Sequence, residues 1–210
     1  MKIDFDSLFS SSQYINFYPY VGKDYAKAQH KILVLGESHY GKLSNNKYHG
    51  WTREVVEEDY LKNNIIKNSF PRWTRCHDNT ARMIADVADQ NSYKIYDQIA
   101  FYNFFQKIVG KSCREKNYIN EKLIDDSRNA LKDVLPILKP DLVICWGCGN
   151  LKKKWLPQSK KDVAFGSKDV FLFIIDDYFD VPFWCIRHPS CFFSINKYKI
   201  IFQKIKAYLF

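Results

Sequence analysis

The chain has 210 residues and a formal net charge of +9, and 46% of its residues are apolar, 26% charged and 17% aromatic. This length supports one complete hydrophobic core, and the composition is that of a globular protein rather than a disordered one. No stretch approaches the roughly 18 uninterrupted apolar residues of a membrane helix, and the first residues lack a signal-peptide pattern. We therefore predict a single cytoplasmic domain over residues 1–210, a monomer with no membrane partner.

Strands and helices are predicted to alternate along the chain. Short apolar runs bounded by glycine or proline predict strands, whereas longer stretches with capping residues predict helices. In chain order, the predicted elements are a strand over 31–35, helices over 53–64 and 79–90, a strand over 95–102, a helix over 120–135, strands over 141–146, 170–175 and 183–186, and a helix over 195–209. Asp78 or Asn79 is the expected cap of the second helix, and Pro136 is expected to end the third.

This alternation predicts an α/β fold of three layers, in which helices cover both faces of a central, mainly parallel sheet. Such sheets bind ligands beyond the carboxyl ends of their strands. The residues that directly follow the predicted strands include Glu37, Ser38, His39, Asn103, Gly147, His188 and Ser190. The sequence therefore predicts a pocket where these strand ends meet.

The positive charge is concentrated in the last third of the chain. Residues 151–210 carry eleven Lys and Arg against five Asp, which is +6 of the total +9. A basic surface attracts polyanions and makes binding to phosphates dependent on salt. Two interpretations remain open: a DNA-binding surface that includes Lys152 and Lys153, or the solubilising surface of a lysine-rich protein.

The six cysteines are predicted to be reduced thiols, as is usual in the cytosol. Cys145 and Cys148 form a single Cys-x-x-Cys pair, whereas zinc and iron-sulfur sites need three or four ligands. Cys76 and His77 are too isolated in sequence to complete such a site. We expect no disulfide, no metal and no organic cofactor.

Two motifs at the predicted strand ends resemble those of the uracil-DNA glycosylase superfamily. The segment Leu35-Gly36-Glu37-Ser38-His39-Tyr40-Gly41 is similar to its first motif, a strand followed by Gly-Gln-Asp-Pro-Tyr-His or by a variant that begins Gly-Glu. The segment Ile186-Arg187-His188-Pro189-Ser190 is similar to its late His-Pro-Ser motif. Asn103 and Trp146-Gly147 are weaker matches at strand ends between them. Each motif alone is weak, and their order over residues 31–206 carries the resemblance.

The resemblance implies a uracil-DNA-glycosylase-like fold and hydrolysis of the N-glycosidic bond of uracil or another modified base in DNA, without a cofactor. In such an enzyme the base is flipped into a pocket and leaves with negative charge. In the pocket, the implied roles are leaving-base stabilisation for His188, base reading for Asn103, a pocket wall for Tyr40, and substrate orientation for the turn of Gly36 and His39. On the DNA, they are a phosphate contact for Ser190, a wedge into the base stack for Phe192 or Phe193, and DNA contacts for Arg187, Lys152 and Lys153.

One departure from the family pattern concerns the reaction directly. Ser38 stands where the family has a water-activating Asp, and a positioned carboxylate of that kind is worth on the order of 10²- to 10⁴-fold in rate. Glu37, or a water held by Ser38, is then expected to serve the sugar side. His39 also replaces a proline of the family motif. Two further hypotheses stay open: a catalytically inactive nucleic-acid or nucleotide-binding module on the same fold, and a small-molecule hydrolase.

Several candidate residues also have plain structural interpretations. Glu37 can pair with a surface cation, and His188 can cap a helix or be satisfied in the core. Asn103 can be a turn-forming amide at a strand end. Tyr40 and Phe192 can be packing residues. The three-dimensional positions of these side chains distinguish the two kinds of interpretation.

Overall fold

The computed structural model describes residues 3–44, 48–67, 71–86, 89–157, 159–164, 171–175, 180–190 and 192–210. The strands are β1 (Tyr20–Val21), β2 (Ile32–Gly36), β3 (Ile99–Asn103), β4 (Leu142–Trp146), β5 (Ser159–Ala164), β6 (Phe171–Ile175) and β7 (Phe183–Ile186). The α-helices are α1 (Phe5–Ser10), α2 (Trp51–Glu54), α3 (Asn63–Lys67), α4 (Arg75–Ile84), α5 (Glu121–Leu138) and α6 (Ile195–Leu209). A π-helical segment, Val55–Lys62, joins α2 to α3.

The strands form a seven-stranded sheet in the order β1-β3-β2-β4-β7-β6-β5. The central strands β3, β2, β4 and β7 are parallel to one another. Towards the edges, β1 pairs with β3, β6 with β7 and β5 with β6, all antiparallel. The α/β class with a parallel central sheet is therefore confirmed, and the carboxyl ends of the central strands meet at one edge.

Helices cover both faces of the sheet because the central strands are apolar at almost every position, with Asn103 at the end of β3 as a polar exception. Leu33 and Leu35 of β2 pack into a cluster with α1 and α5, on one face. Ile32 and Val34, which point the opposite way, pack into a second cluster with α4 and α6. Every residue of β2, β3 and β4 is buried. A strand that is buried on both faces has a continuous apolar sequence, and for this reason these strands could be predicted from the sequence.

Several predicted boundaries were wrong because tertiary packing overrides local pattern. β3 begins at Ile99, not at residue 95, since Asp89–Asp97 forms 3₁₀ helix in which Tyr96 is fully buried against α4. α4 begins at Arg75, so Asp78 and Asn79 lie inside it instead of capping it, and it ends at Ile84 instead of residue 90. Asn79 has another partner, because its Nδ2 donates to the carbonyl oxygen of Pro189 at 2.6 Å.

The helix α5 begins as predicted and ends later than predicted. The Oδ1 of Asn120 accepts a hydrogen bond from the amide of Leu123 at 2.9 Å and caps the first turn. Pro136 does not stop the helix, which continues to Leu138. A proline in the last turn removes one hydrogen bond, while burial of Leu135 and Leu138 stabilises that turn.

A buried glutamine fixes the chain that leaves β3. The Oε1 of Gln106 accepts hydrogen bonds from the amides of Asn16 and Phe17, both at 2.9 Å. Its Nε2 donates to the carbonyl oxygen of Asn103 at 2.8 Å. These bonds tie the segment before β1 to the carboxyl end of β3 and leave no polar atom of this side chain unpaired.

None of the described helices is both long enough and apolar enough to cross a membrane. Cys76, Cys113, Cys145 and Cys185 are free thiols. The side chain of Cys148 and residue 191 lie outside the part of the chain that is described.

Candidate functional site

A cavity of about 670 Å³ opens at the carboxyl ends of the parallel strands. Its volume lies within the range of pockets that hold a small-molecule ligand, about 300–1,000 Å³. One half of its wall follows β2, β3, β4 and β7, and the other half comes from α2, the π-helical segment and the start of α4. The lining residues are Glu37, Ser38, His39, Tyr40, Trp51, Val55, Asp59, Trp73, Cys76, His77, Phe101, Asn103, Ser112, Cys113, Trp146, His188 and Ser190.

Residues that are distant in sequence meet at this cavity. The candidates that line it are Glu37, Ser38, His39, Tyr40, Asn103, His188 and Ser190, and Gly36 is the last residue of β2 beneath them. Arg187 and Phe192 lie beside the His188 turn and are exposed. The side chains of Lys152 and Lys153 lie outside the described part of the chain.

His188 presents a hydrogen-bond donor to the cavity. The amide of Ser190 donates to its Nδ1 at 3.3 Å, and the Ser190 hydroxyl lies 2.9 Å from the same atom. A backbone amide can only donate, so Nδ1 is an acceptor and the neutral ring carries its proton on Nε2. Burial lowers the pKa of His188, the nearby Glu37 carboxylate raises it and Lys116 lowers it, with a net lowering. The lowered pKa favours the neutral form of the ring.

Glu37 is held in the cavity wall by an ion pair with Lys116. The Glu37 side chain is 10% exposed and that of Lys116 is 23% exposed. Burial is the largest single effect and lowers the pKa of Lys116, but the hydrogen bond and charge of Glu37, together with Tyr40, raise that pKa overall. The Glu37 carboxylate also acts on the pKa of His188, so the two groups share one electrostatic environment.

Lys116 reaches Glu37 through a loop that folds back over the strand ends. The amide of Gly41 donates to the carbonyl oxygen of Gly110 at 3.0 Å. The amide of Tyr118 donates to the carbonyl oxygen of Val109 at 3.0 Å. Lys116 was not among the predicted site residues. Its 79-residue separation from Glu37 hides the pair from any local motif.

Asn103 is oriented by a buried hydrogen-bond network. Its Nδ2 lies 3.1 Å from Nε2 of His39, which is also 2.8 Å from the hydroxyl of Thr52. His39 stacks on Trp51, with ring centroids 5.2 Å apart. The amide of Asn103 occupies the space above Gly36, where the Cβ of any other residue would overlap with its Oδ1. Gly36 is therefore required sterically for this position of Asn103.

Ser38 and Tyr40 contribute neutral hydroxyl groups. The Ser38 hydroxyl is buried. Burial raises the pKa of the Tyr40 phenol, an effect that the neighbouring Ser38 hydroxyl partly offsets. The phenol is therefore neutral over the physiological pH range.

The helical half of the cavity wall was not predicted from the sequence. Trp51, Trp73 and Asp59 all lie between β2 and α4 in the chain, and Asp59 lies in the π-helical segment. His77 of α4 belongs to the same half. A π-helical turn in this region is a structural signal of a functional site, but it is not readable from composition.

Arg187 and Phe192 form an exposed pair beside the His188 turn. Phe192 is 86% exposed and adopts a left-handed backbone with φ of 49°. The guanidinium carbon of Arg187 lies 5.5 Å from the centre of its ring. A bulky residue in this backbone region is uncommon and stores strain. Phe192 is therefore not a core residue, whereas Phe193 packs against Tyr198.

Among the described residues, no group of three or more His, Cys, Asp and Glu side chains is arranged to hold a metal ion.

Neither a protein-family model nor a curated protein matches this chain.

The variant Gly36→Ala tests the steric link between β2 and Asn103. Its methyl group overlaps with the Asn103 amide, which is held by His39, so we expect a loss of about 1–3 kcal/mol in the free energy of unfolding. Urea unfolding measures this quantity. The matched control is Gly149→Ala, whose methyl group meets no atom within 4 Å. Equal urea midpoints for the two variants would contradict the steric argument.

Folding stability should fall as the pH drops below about 6.5, the ordinary pKa of histidine. Burial lowers the pKa of both His39 and His77 to about 3 in the folded chain. The unfolded chain therefore binds more protons than the folded chain between these two pH values. Each histidine then lowers the free energy of unfolding by up to about 1.4 kcal/mol for each unit by which the pH falls.

Urea unfolding between pH 7 and pH 5 checks this prediction. The variant His77→Phe should reduce the pH slope by about one proton. An unchanged slope in His77→Phe would show that this ring is protonated in the folded chain.

Proposed function

We propose that this chain is a uracil-DNA-glycosylase-like enzyme that hydrolyses the N-glycosidic bond of uracil or another modified or damaged base in DNA. One observation carries the proposal: the residues of the motifs at separate strand ends, among them Glu37, Asn103 and His188, line one cavity. The α/β fold with a parallel central sheet is compatible with that superfamily. The cavity lies where such sheets bind ligands.

The geometry of His188 supports a role on the leaving base. When the bond between the sugar and the base breaks, the base leaves with its bonding electrons and becomes negatively charged. A neutral imidazole with its proton on Nε2 stabilises that charge by donating a hydrogen bond. The fixed Nδ1 contact with Ser190 keeps the proton on the correct nitrogen before the substrate binds.

Glu37 supports the sugar side of the same reaction. The sugar carbon becomes cationic as the base leaves, and an ionised carboxylate in the cavity stabilises that cation. Water then adds its hydroxide to the sugar carbon, and its proton neutralises the departed base. The ion pair with Lys116 orients the Glu37 carboxylate, so this group acts as a fixed charge.

The exposed Phe192 supports contact with DNA. Proteins that extrude a base insert apolar side chains into the base stack, and they neutralise phosphates with Arg and Lys. Phe192 directly follows the His188 turn, projects into solvent and lies against Arg187. The net charge of +9 favours association with a polyanion.

A second candidate function is a catalytically inactive nucleic-acid or nucleotide-binding module. Ser38 occupies the position of the water-activating Asp, and the adjacent Glu37 is engaged by Lys116. A carboxylate oxygen that already accepts a hydrogen bond from a lysine has less capacity left to orient an attacking water. The cavity and the exposed aromatic residue would then serve binding alone.

Oligonucleotides that carry uracil, hypoxanthine, hydroxymethyluracil or an alkylated base distinguish these functions. Single and double strands are incubated with the protein and treated with alkali, which cleaves at abasic sites. We expect excision of at least one lesion, with a loss of about 10²- to 10³-fold in His188→Ala because a charge-stabilising donor is removed.

The outcome for Glu37→Gln separates the catalytic roles further. This variant keeps the shape of the side chain but removes its charge, so it should lower the rate without abolishing DNA binding. If no lesion is cleaved above the His188→Ala background while salt-sensitive DNA binding persists, the binding module replaces the enzyme. If neither DNA nor a nucleotide binds even at low salt, both proposals fail in favour of a small-molecule hydrolase.

The variant Phe192→Asn tests the wedge. Asparagine tolerates the left-handed backbone at this position, so we expect no loss of folding stability. Affinity for duplex DNA should fall by about tenfold, a loss of about 1–2 kcal/mol, because an aromatic contact with the bases is removed. Fluorescence anisotropy at two salt concentrations measures it. Ile200→Ala removes another exposed apolar side chain and is the control; equal affinities of the two variants would exclude the wedge.

A further inference from the structure

His77 is a buried histidine at the cavity that the proposed chemistry does not use. It lies on α4, is 3% exposed and forms part of the cavity wall. Its ring is enclosed by aromatic neighbours: Phe101 and Trp146 lie edge-on at centroid distances of 4.7 and 5.0 Å, and Tyr60 stacks at 5.6 Å. This enclosure fixes the direction of the imidazole.

The hydrogen bond to Tyr96 determines which nitrogen of His77 carries the proton. The Nδ1 atom lies 2.8 Å from the Tyr96 hydroxyl. Tyr96 is fully buried, and within the described ranges its hydroxyl has His77 as its hydrogen-bond partner. A buried hydroxyl without an acceptor is costly, so Tyr96 donates to Nδ1. The neutral ring therefore carries its proton on Nε2.

The Nε2 atom is the free polar atom of this ring. Nowhere in the described part of the chain does it have a hydrogen-bond partner. The His77 ring forms part of the cavity wall. Burial lowers the pKa of His77 to about 3, so this N–H belongs to a neutral ring at pH 7.

Two imidazole donors thus flank one indole. Trp146 packs edge-on against His77 at 5.0 Å and against His188 at 5.7 Å. Trp146 therefore lies between two histidines of the cavity wall. A donor in apolar surroundings favours an acceptor atom of the ligand and disfavours an amino group.

We infer that His77 is a specificity-determining residue that donates a hydrogen bond from Nε2 to a carbonyl oxygen or unprotonated ring nitrogen of the base in the cavity. This inference rests on the proposed function for the identity of the ligand as a base. It assigns α4, which carries none of the family motifs, a direct part in recognition.

Nuclear magnetic resonance of the ¹⁵N-labelled full chain tests the inference, with uracil and hypoxanthine as free-base probes. Long-range ¹H–¹⁵N spectra of the histidine rings should show His77 protonated on Nε2 in the free protein. Addition of either base should shift the Nε2 resonance. A His77 proton on Nδ1, or an Nε2 resonance that neither base moves, would overturn the inference.

A pair of variants separates recognition from structure. His77→Phe and Tyr96→Phe break the same buried hydrogen bond, but Tyr96→Phe leaves the imidazole and its Nε2 in place. We expect His77→Phe to bind the bases about 10- to 100-fold more weakly, the loss of one hydrogen bond to a buried donor. Tyr96→Phe should bind them almost as tightly as the native chain. Equal losses in the two variants would make His77 a structural residue and refute the inference.

Excision assays on the same variants keep this inference distinct from the proposed function. If His188→Ala abolishes excision while His77→Phe excises every lesion at the native rate, the inference fails and the proposed function stands. If the native chain excises no lesion yet binds free bases in a His77-dependent manner, the proposed function fails and the inference stands.

Discussion

The parallel register between β2 and β3 determines the geometry of the cavity edge. Gly36 pairs with Asn103 at the last position of both strands. The ladder continues into the turns, since the amides of Phe104 and Phe105 donate to the carbonyls of Gly36 and Glu37 at 3.0 and 2.9 Å. A shift of one residue would reverse the face on which each side chain lies. The relative positions of Glu37 and Asn103 are therefore fixed by backbone bonds in the sheet.

Around this edge the protein combines neutral imidazoles with one buried ion pair. His39, His77 and His188 all have a lowered pKa, and burial is the largest cause in each case. Neutral rings suit a site in which negative charge develops on a ligand, because a donor without a full charge does not bind stray anions strongly before the reaction. Glu37, which forms an ion pair with Lys116, lies in the wall of the same cavity.

Much of the scaffold was predictable from the sequence, because continuous apolar runs require burial on both faces. The strand Phe183–Ile186 and the helix Ile195–Leu209 have the predicted boundaries. The residues at strand ends were readable for the same reason, since the topology of a parallel sheet brings them together. The long-range contacts were not: Lys116 and His77 reach the cavity through a loop and a helix whose sequences carry no site pattern. Residues 95–98 were wrongly predicted to be part of a strand, because the contact that buries Tyr96 comes from α4.

The hydrogen bond from Asn79 to the carbonyl of Pro189 joins α4 to the turn that follows β7. Asn79 lies two residues after His77 on α4, and Pro189 directly follows His188. The bond therefore ties the helix that carries His77 to the turn that carries His188. Because α4 and this turn are already tied together, a ligand that contacts both rings needs little further ordering of the protein when it binds.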